Sequence, residues 1–379
     1  MIKVLEGIRV LELGQVLAGP FAGSIFAGLG AEVIKVERTQ GGDDARRMGQ
    51  AFHEGDALIF QVFNAGKQSV ALDLKSDAGR ADLERLLAGA DILVHNLRPG
   101  VTRDLGIDAA SACARHPQLI YCEISAFGHT GPLAGQPGYE PLIQAFSGLS
   151  STNGGPDDPP MRSATSLCDQ GSGMWLAIGA LSLLVQRAHS GRGGVVNTSL
   201  LETALSWNAQ KADAWRNEGA LPLRHRSGHP GFVPYEAFAT ADGPLLVCCG
   251  NDRLFAKLAI EIGRPEWSQD ARYATNRARL LHKDALITEI GASLLQAPRA
   301  QWLERFARAG VPCAPVHSVP EALAHPQVQA LEMLQPMADA GFALTALPLS
   351  IDGVRAAWDH AAPALGRDNA THGIEEVKQ

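Results

Sequence analysis

The sequence predicts an α/β protein, with a Rossmann-like parallel sheet in a large domain followed by a smaller α+β domain. Three observations carry this. Short apolar runs alternate with helical patterns through the N-terminal third of the chain. The texture changes at LRHRSGHPGFVPYEAF, a loop rich in proline and glycine. A length of 379 residues supplies material for two cores.

GIRVLELG is an alternating run ending in glycine and predicts a strand near residues 8 to 13. Pro20 suits the first turn of the helix that follows, where no amide is needed. AEVIKVE predicts the second strand and SVALDL the third. SDAGRADLERLLAG predicts a helix opened by Ser76 and closed by Gly89. ADILVHN and QLIYCEIS predict two more strands, with IDAASACARH a helix between them. Further on, GPLLVCCGNDRLFAKLAIEIG predicts strand, turn and helix. NRARLLHKDALITEIGASLLQ and PRAQWLERFARAG predict amphipathic helices, the latter stopped by Gly310, and VPCAPV a strand. The expected domains are 1–224, completed by 326–379, and 225–325.

A net charge of −7 argues against a general nucleic-acid or anionic-membrane binder, so an anionic ligand must meet a local cationic patch. Six cysteines (Cys113, Cys122, Cys168, Cys248, Cys249, Cys313) form no C-x-x-C pair and no metal spacing. They read as reduced thiols of a cytoplasmic protein, with no metal site. The uncharged stretch VLAGPFAGSIFAGLGAEVI contains Pro20 and Glu32 and is rich in glycine, so no membrane anchor or signal peptide is expected.

In open α/β sheets, ligands bind beyond the carboxyl ends of the strands. There the sequence gathers Arg38, Lys75, Arg98 and Arg103, cations suited to phosphate oxygens, although strand-end loops are commonly just solvated. A dinucleotide site is the rival. Glu37 ends the second strand where a ribose hydroxyl would be bound, but glycines at 14, 19 and 23 do not make G-x-G-x-x-G. The stretch SLCDQGSG sets Asp169 before MWLAIGALSLLVQR, a helix apolar on nearly every face. Asp169 reads either as a helix cap or as a rigidly held functional carboxylate, with QGSG a turn offering amides to an anionic oxygen.

Nine stretches follow one another along the chain: GQVLAGPFAGSIFAGLGAEVIKVE, ALDLKS, HNLRPG, ISAFGHTGPLAGQPGYEPLIQAFSGL, CDQGSGMWLAIGAL, GRGGVVNTSLLE, GHPGFVPYEAF, CGNDRLF and GVPCAPVHSVPEAL. By their order and spacing the chain resembles the class III CoA-transferases, the family of formyl-CoA and carnitine CoA-transferases. The resemblance implies that Asp169 is the catalytic aspartate, acylated in turn as a mixed anhydride and as an aspartyl-CoA thioester. It implies CoA contacts at Gln15, Val16, Leu17, Arg38, Leu72, Lys75, Asn96, Leu97, Arg98 and Arg103, and at Gln136, Pro137, Gly138 and Tyr139. CoA and acyl-CoA enter as substrates, with no tightly bound cofactor. Two ring-like chains are expected to thread each other as an interlocked homodimer.

Related racemases of α-methylacyl-CoA share the fold but need a second acid/base, a histidine in a GHD segment. Here PGYEP puts Tyr139 at that position, a poor base at neutral pH, and His129 lies ten residues earlier. A non-catalytic acyl-CoA binder is the third reading, disfavoured by the intact CDQGSG. The turn CCGNDRLF keeps only Gly250 of a triple-glycine loop found in some relatives, which disfavours formyl or oxalyl specificity. Arg226, His229, Tyr235 and Asn251 are candidates for the acceptor pocket, and Arg226 suits the second carboxylate of a donor such as succinyl-CoA. Cys168 reads as a packed thiol.

Overall fold

A computed structural model describes residues 2–98 and 100–375. The chain forms two compact units: residues 1–150, 162–219 and 330–379 in one, and residues 151–161 and 220–329 in the other.

The first unit is built on six parallel strands: β1 (Arg9–Glu12), β2 (Glu32–Arg38), β3 (Gln68–Leu72), β4 (Ile92–His95), β5 (Ile120–Ser125) and β6 (Gly194–Ser199). Their order is β3-β2-β1-β4-β5-β6, the doubly wound order in which the chain reverses direction between β1 and β4. Five of these strands match expected runs. The sixth lies inside GRGGVVNTSLLE and is not predicted as a strand, because Asn197, Thr198 and Ser199 make it half polar; Val195 and Asn197 are exposed.

Period-two alternation sends successive side chains to opposite faces. Val10, Val33, Ile92 and Ile120 pack under α1 (Ala18–Gly28) and its neighbours, while Leu11, Ile34, Leu93 and Tyr121 pack on the other side. That other side is covered by α2 (Asp77–Ala88), capped by Ser76 and ended at Gly89, and by α3 (Ala109–Arg115). The edge strand β3 is covered by the tail. Asn369 Oδ1 accepts the Ala71 amide and Asp368 Oδ2 the Ser69 amide, each at 2.8 Å, which removes an open pairing edge.

Two helices frame the site: α4 (Glu140–Phe146) and the long α5 (Leu167–Ser190), which packs on α1 and on α6 (Leu200–Trp207). QGSG is not a turn but the first turns of α5. Its glycines permit close helix packing: a Cβ at Gly171 would lie 2.6 Å from Thr203 Cγ2, and one at Gly173 would lie 2.8 Å from the Ala18 carbonyl. Nor is α5 packed on all sides within the chain. Cys168, Leu176, Ala177 and Ala180 are buried, whereas Met174, Trp175 and Ile178 are exposed.

The second unit holds a three-stranded antiparallel sheet of β7 (Tyr235–Ala239), β8 (Pro244–Cys248) and β9 (Cys313–Pro315). The loop read from the sequence thus ends earlier than expected, since Tyr235 already begins a strand. The single helix expected over NRARLLHKDALITEIGASLLQ is two, Asn276–Leu281 and Lys283–Leu294, separated at His282. Phe255, Leu286, Ile290, Trp302 and Phe306 form that unit's core. Among the described residues, no helix is long and apolar enough to cross a membrane, and no His/Cys/Asp/Glu group is placed to hold a metal ion.

Candidate active site

A cleft of about 570 Å³ opens over the carboxyl ends of the strands in the first unit, at the β1–β4 reversal. The loop after β1 contributes Gln15, Val16 and Leu17, and the loop after β4 contributes Asn96, Leu97 and Arg98. Arg38 comes from the end of β2, and Gln136, Pro137, Gly138 and Tyr139 lead into α4. Asp169 reaches the same cleft from the start of α5. Residues more than 150 positions apart therefore share one cavity.

Three expected contacts do not line the cleft. Leu72 is buried in the core under α2 and α3. Lys75 is exposed in the turn after edge strand β3, and Arg103 is exposed on the short helix Val101–Asp104. The cationic edge is thus narrower at the cleft than the sequence suggested, with Arg38 and Arg98 on its wall. Arg38 is already paired with Asp44, which also lines the cleft. Asn96 lines the wall but spends its amide on the loop opposite, accepting the Gln15 N–H at 2.8 Å and donating to the Gln15 carbonyl at 2.9 Å.

The dinucleotide alternative fails at Glu37, which is buried with both oxygens occupied. One oxygen accepts from Arg46 Nη2 at 2.6 Å and Ser69 Oγ at 2.7 Å, and the other from the Asp43 amide at 2.9 Å and Arg46 Nε at 2.8 Å. Burial alone would raise its carboxyl, but these hydrogen bonds and the Lys35 and Arg46 charges hold it low. No ribose hydroxyl can displace that set cheaply.

Asp169 is not the helix cap. The N-cap position of α5 is Ser166, whose side chain makes no capping bond. Glu140 does that work from the head of α4: its carboxylate accepts the Cys168 amide at 3.1 Å, the Asp169 amide at 2.7 Å and Gln144 Nε2 at 2.7 Å. This leaves the Asp169 side chain available to the cleft. Its carboxyl is pushed up to about 7, by burial first and by the neighbouring Glu140 charge second. A helix N-terminus favours a carboxylate by under about 2 kcal/mol, so desolvation wins here. Burial likewise drives the Cys168 thiol far above the thiolate range, with Glu140 adding to it, and the side chain is sealed in the core.

Sequence reasoning missed Glu140, although GYEP contains it. Its only local signal is an acid before proline at a helix start; the backbone amides it accepts lie 28 and 29 residues away. It also missed Glu123, which lines the cleft with its carboxyl raised by burial and with His129 Nδ1 at 4.0 Å.

A half-buried carboxylate and two arginines at a doubly wound switch point suit a reaction on a large anionic substrate. The comparisons with known proteins agree. The model of CoA-transferase family III matches residues 5–369. An acetyl-CoA:oxalate CoA-transferase of Acetobacter aceti is 37% identical over 92% of this chain and 89% of its own. A succinate–glutarate CoA-transferase of Agrobacterium fabrum is 35% identical over 97% of this chain and 94% of its own. A crystal structure of a CAIB/BAIF family protein from Brucella suis superposes with a TM-score of 0.90 at 34% identity, covering 98% of each chain. Fold, cleft and whole-chain similarity converge: the chain is an enzyme of CoA-transferase family III, acting on CoA thioesters.

Proposed function

We propose that this enzyme moves CoA from an acyl-CoA to a free carboxylic acid through covalent intermediates on Asp169. The Asp169 carboxylate attacks the thioester carbonyl, the C–S bond breaks, and CoA leaves as thiolate. The thiolate then attacks the aspartyl carbonyl of the mixed anhydride, releasing the donor acid as carboxylate and leaving an aspartyl-CoA thioester. An incoming carboxylate attacks that thioester to give a new anhydride, and the thiolate finally takes the new acyl group. Asp169 is thereby regenerated, and no net proton is required.

The observation that carries this reading is the Asp169 carboxyl itself, raised to about 7 in a cleft where Glu140 has taken over capping. A carboxylate stripped of water is a stronger nucleophile, and dryness protects an anhydride from hydrolysis. CoA is assigned to the same cleft, its phosphates to Arg38 and Arg98 and its pantetheine to Gln136–Tyr139. The donor is proposed to be a dicarboxylyl-CoA such as succinyl-CoA; the Agrobacterium fabrum relative carries succinate and glutarate in its name, while the Acetobacter aceti relative pairs oxalate with acetyl-CoA. Homodimerisation, interlocked as in the resembling family, has support in the exposed apolar face of Met174, Trp175 and Ile178, with Trp207 beside it. Domains of 1–224 with 326–379 and of 225–325, and a cytoplasmic setting, belong to the same proposal.

Intact-protein mass analysis during turnover, with hydroxylamine trapping, tests the mechanism. The expected adduct sits on Asp169, and Asp169→Ala abolishes transfer while CoA still binds. An unmodified Asp169 under turnover sinks the proposal. A matrix of acyl-CoA donors and carboxylic acids, read by mass spectrometry, identifies the substrates. One observation favours a second reading as an epimerase: the Glu123–His129 pair supplies an acid/base group on the cleft. Deuterium wash-in at the acyl α-carbon without an acceptor acid distinguishes it.

A further inference from the structure

Behind the cleft wall, Glu12, Lys35, Asp43 and Lys67 are buried together, none more than 2% exposed. None of them lines the cleft. Their hydrogen bonds converge on the segment that does. Lys35 Nζ bridges Glu12 at 2.9 Å and Asp43 at 2.8 Å, and donates to the Gly14 carbonyl at 2.8 Å. Lys67 Nζ joins Glu12 at 2.7 Å and donates to the Pro20 carbonyl at 2.8 Å. The Asp43 carboxylate accepts the Val16 amide at 2.9 Å. Gly23 leaves the room this needs, since a Cβ there would lie 1.8 Å from Glu12 Oε2.

Val16 is held at φ +65°, a left-handed conformation that a β-branched residue rarely takes. Such strain persists only where the surroundings over-determine it, and it gathers at functional sites. Buried ion pairs are weak stabilisers for the desolvation they cost. What this cluster delivers is the geometry of residues 14 to 20.

We infer that Asp43, with Lys35, Glu12 and Lys67 behind it, is a positioning residue that locks Val16 in its left-handed conformation and so fixes the Gln15–Leu17 wall on which CoA seats. This role rests on CoA occupying the cleft, as proposed above. Without Asp43 the strained residue relaxes, and binding must first restore the competent wall. Apparent affinity then falls by the competent fraction, about tenfold for strain of ordinary size.

A double-mutant cycle on the full chain tests this, with free CoA as the probe in calorimetry. Asp43→Ala is expected to raise the Kd for CoA about tenfold in the native background. In the Val16→Gly background it is expected to raise it less than about threefold, because glycine adopts positive φ without steric cost. Equal losses in both backgrounds mean that Asp43 is only a structural charge, and overturn the role. Amide exchange on the unmodified protein decides the lock even where the Asp43 variant fails to fold. The Val16 amide is expected to exchange as slowly as strand amides, and exchange at an open-loop rate overturns the lock. If the unmodified protein does not bind CoA while Val16 is protected, the CoA assignment falls and the lock stands.

Discussion

Replacing Asp169 with asparagine removes a charge while keeping the size of the side chain. The Asp169 carboxyl lies at about 7 rather than its ordinary 3.8, because burial and the Glu140 charge disfavour its ionised form. The folded chain therefore keeps a proton over a pH range in which the unfolded chain has released it. Stability must fall as pH rises from about 4 and level off above about 7, where both states are ionised. Asparagine does not titrate, so Asp169→Asn lacks this slope. Between pH 5 and pH 8 the difference in stability should widen in favour of the variant by roughly 2.5 kcal/mol, at about 1.4 kcal/mol per pH unit until the folded group ionises. Urea unfolding at fixed protein concentration, in steps from pH 5 to pH 8, reads this from the two midpoints. Every other titrating group is common to both proteins and cancels to first order. A difference that stays constant with pH, or that widens in favour of the parent, refutes the claim that the fold holds Asp169 at a cost.

The same titration sets activity. For the parent, kcat/KM should rise with pH through about 7 as Asp169 ionises, and Glu140→Gln should move this limb to lower pH by removing the like charge. Glu140→Gln should also cost about 1–3 kcal/mol of stability, since an amide cannot accept both backbone N–H groups with equal geometry; a limb that does not move counts against the electrostatic coupling. Arg98→Ala should weaken CoA binding about tenfold and flatten its salt dependence, with smaller effects from Lys75→Ala and Arg103→Ala, which lie off the cleft wall. Calorimetry at two salt concentrations checks the ranking. Gly173→Ala should destabilise by about 1–3 kcal/mol, because its Cβ would meet the Ala18 carbonyl at 2.8 Å and Phe21 at 3.0 Å. A midpoint unchanged by that substitution would show that α1 and α5 can part freely.

What could be read from the sequence depended on how local its cause was. The strand β1 announces itself through GIRVLELG, and α2 through Ser76 and Gly89, because a period of two and a helix cap are written in adjacent residues. Arg38 and Arg98 were placed correctly at the cleft because strand ends follow from the strands. Lys75 was not, since β3 is the edge strand, two places from the reversal, and sheet order is not local. Glu140 escaped notice for a similar reason: its hydrogen bonds tie the heads of two helices that only the folded sheet brings together.

The buried charges show the limit most clearly. Lys35 and Glu37 alternate with Ile34 and Val36 in β2, and in a strand open to water they would simply belong to its solvent face. In a sheet covered on both sides that face is interior, so each charge must find a partner inside. The partners come from β1 and from the segment around Asp43 and Arg46, with Lys67 closing on Glu12, and they close only when all are in place. A pattern reader prices such charges as solvated because nothing nearby says otherwise. Lys35 and its partner Asp43 hold a single loop, and that loop forms part of the wall of the cleft in which Asp169 stands.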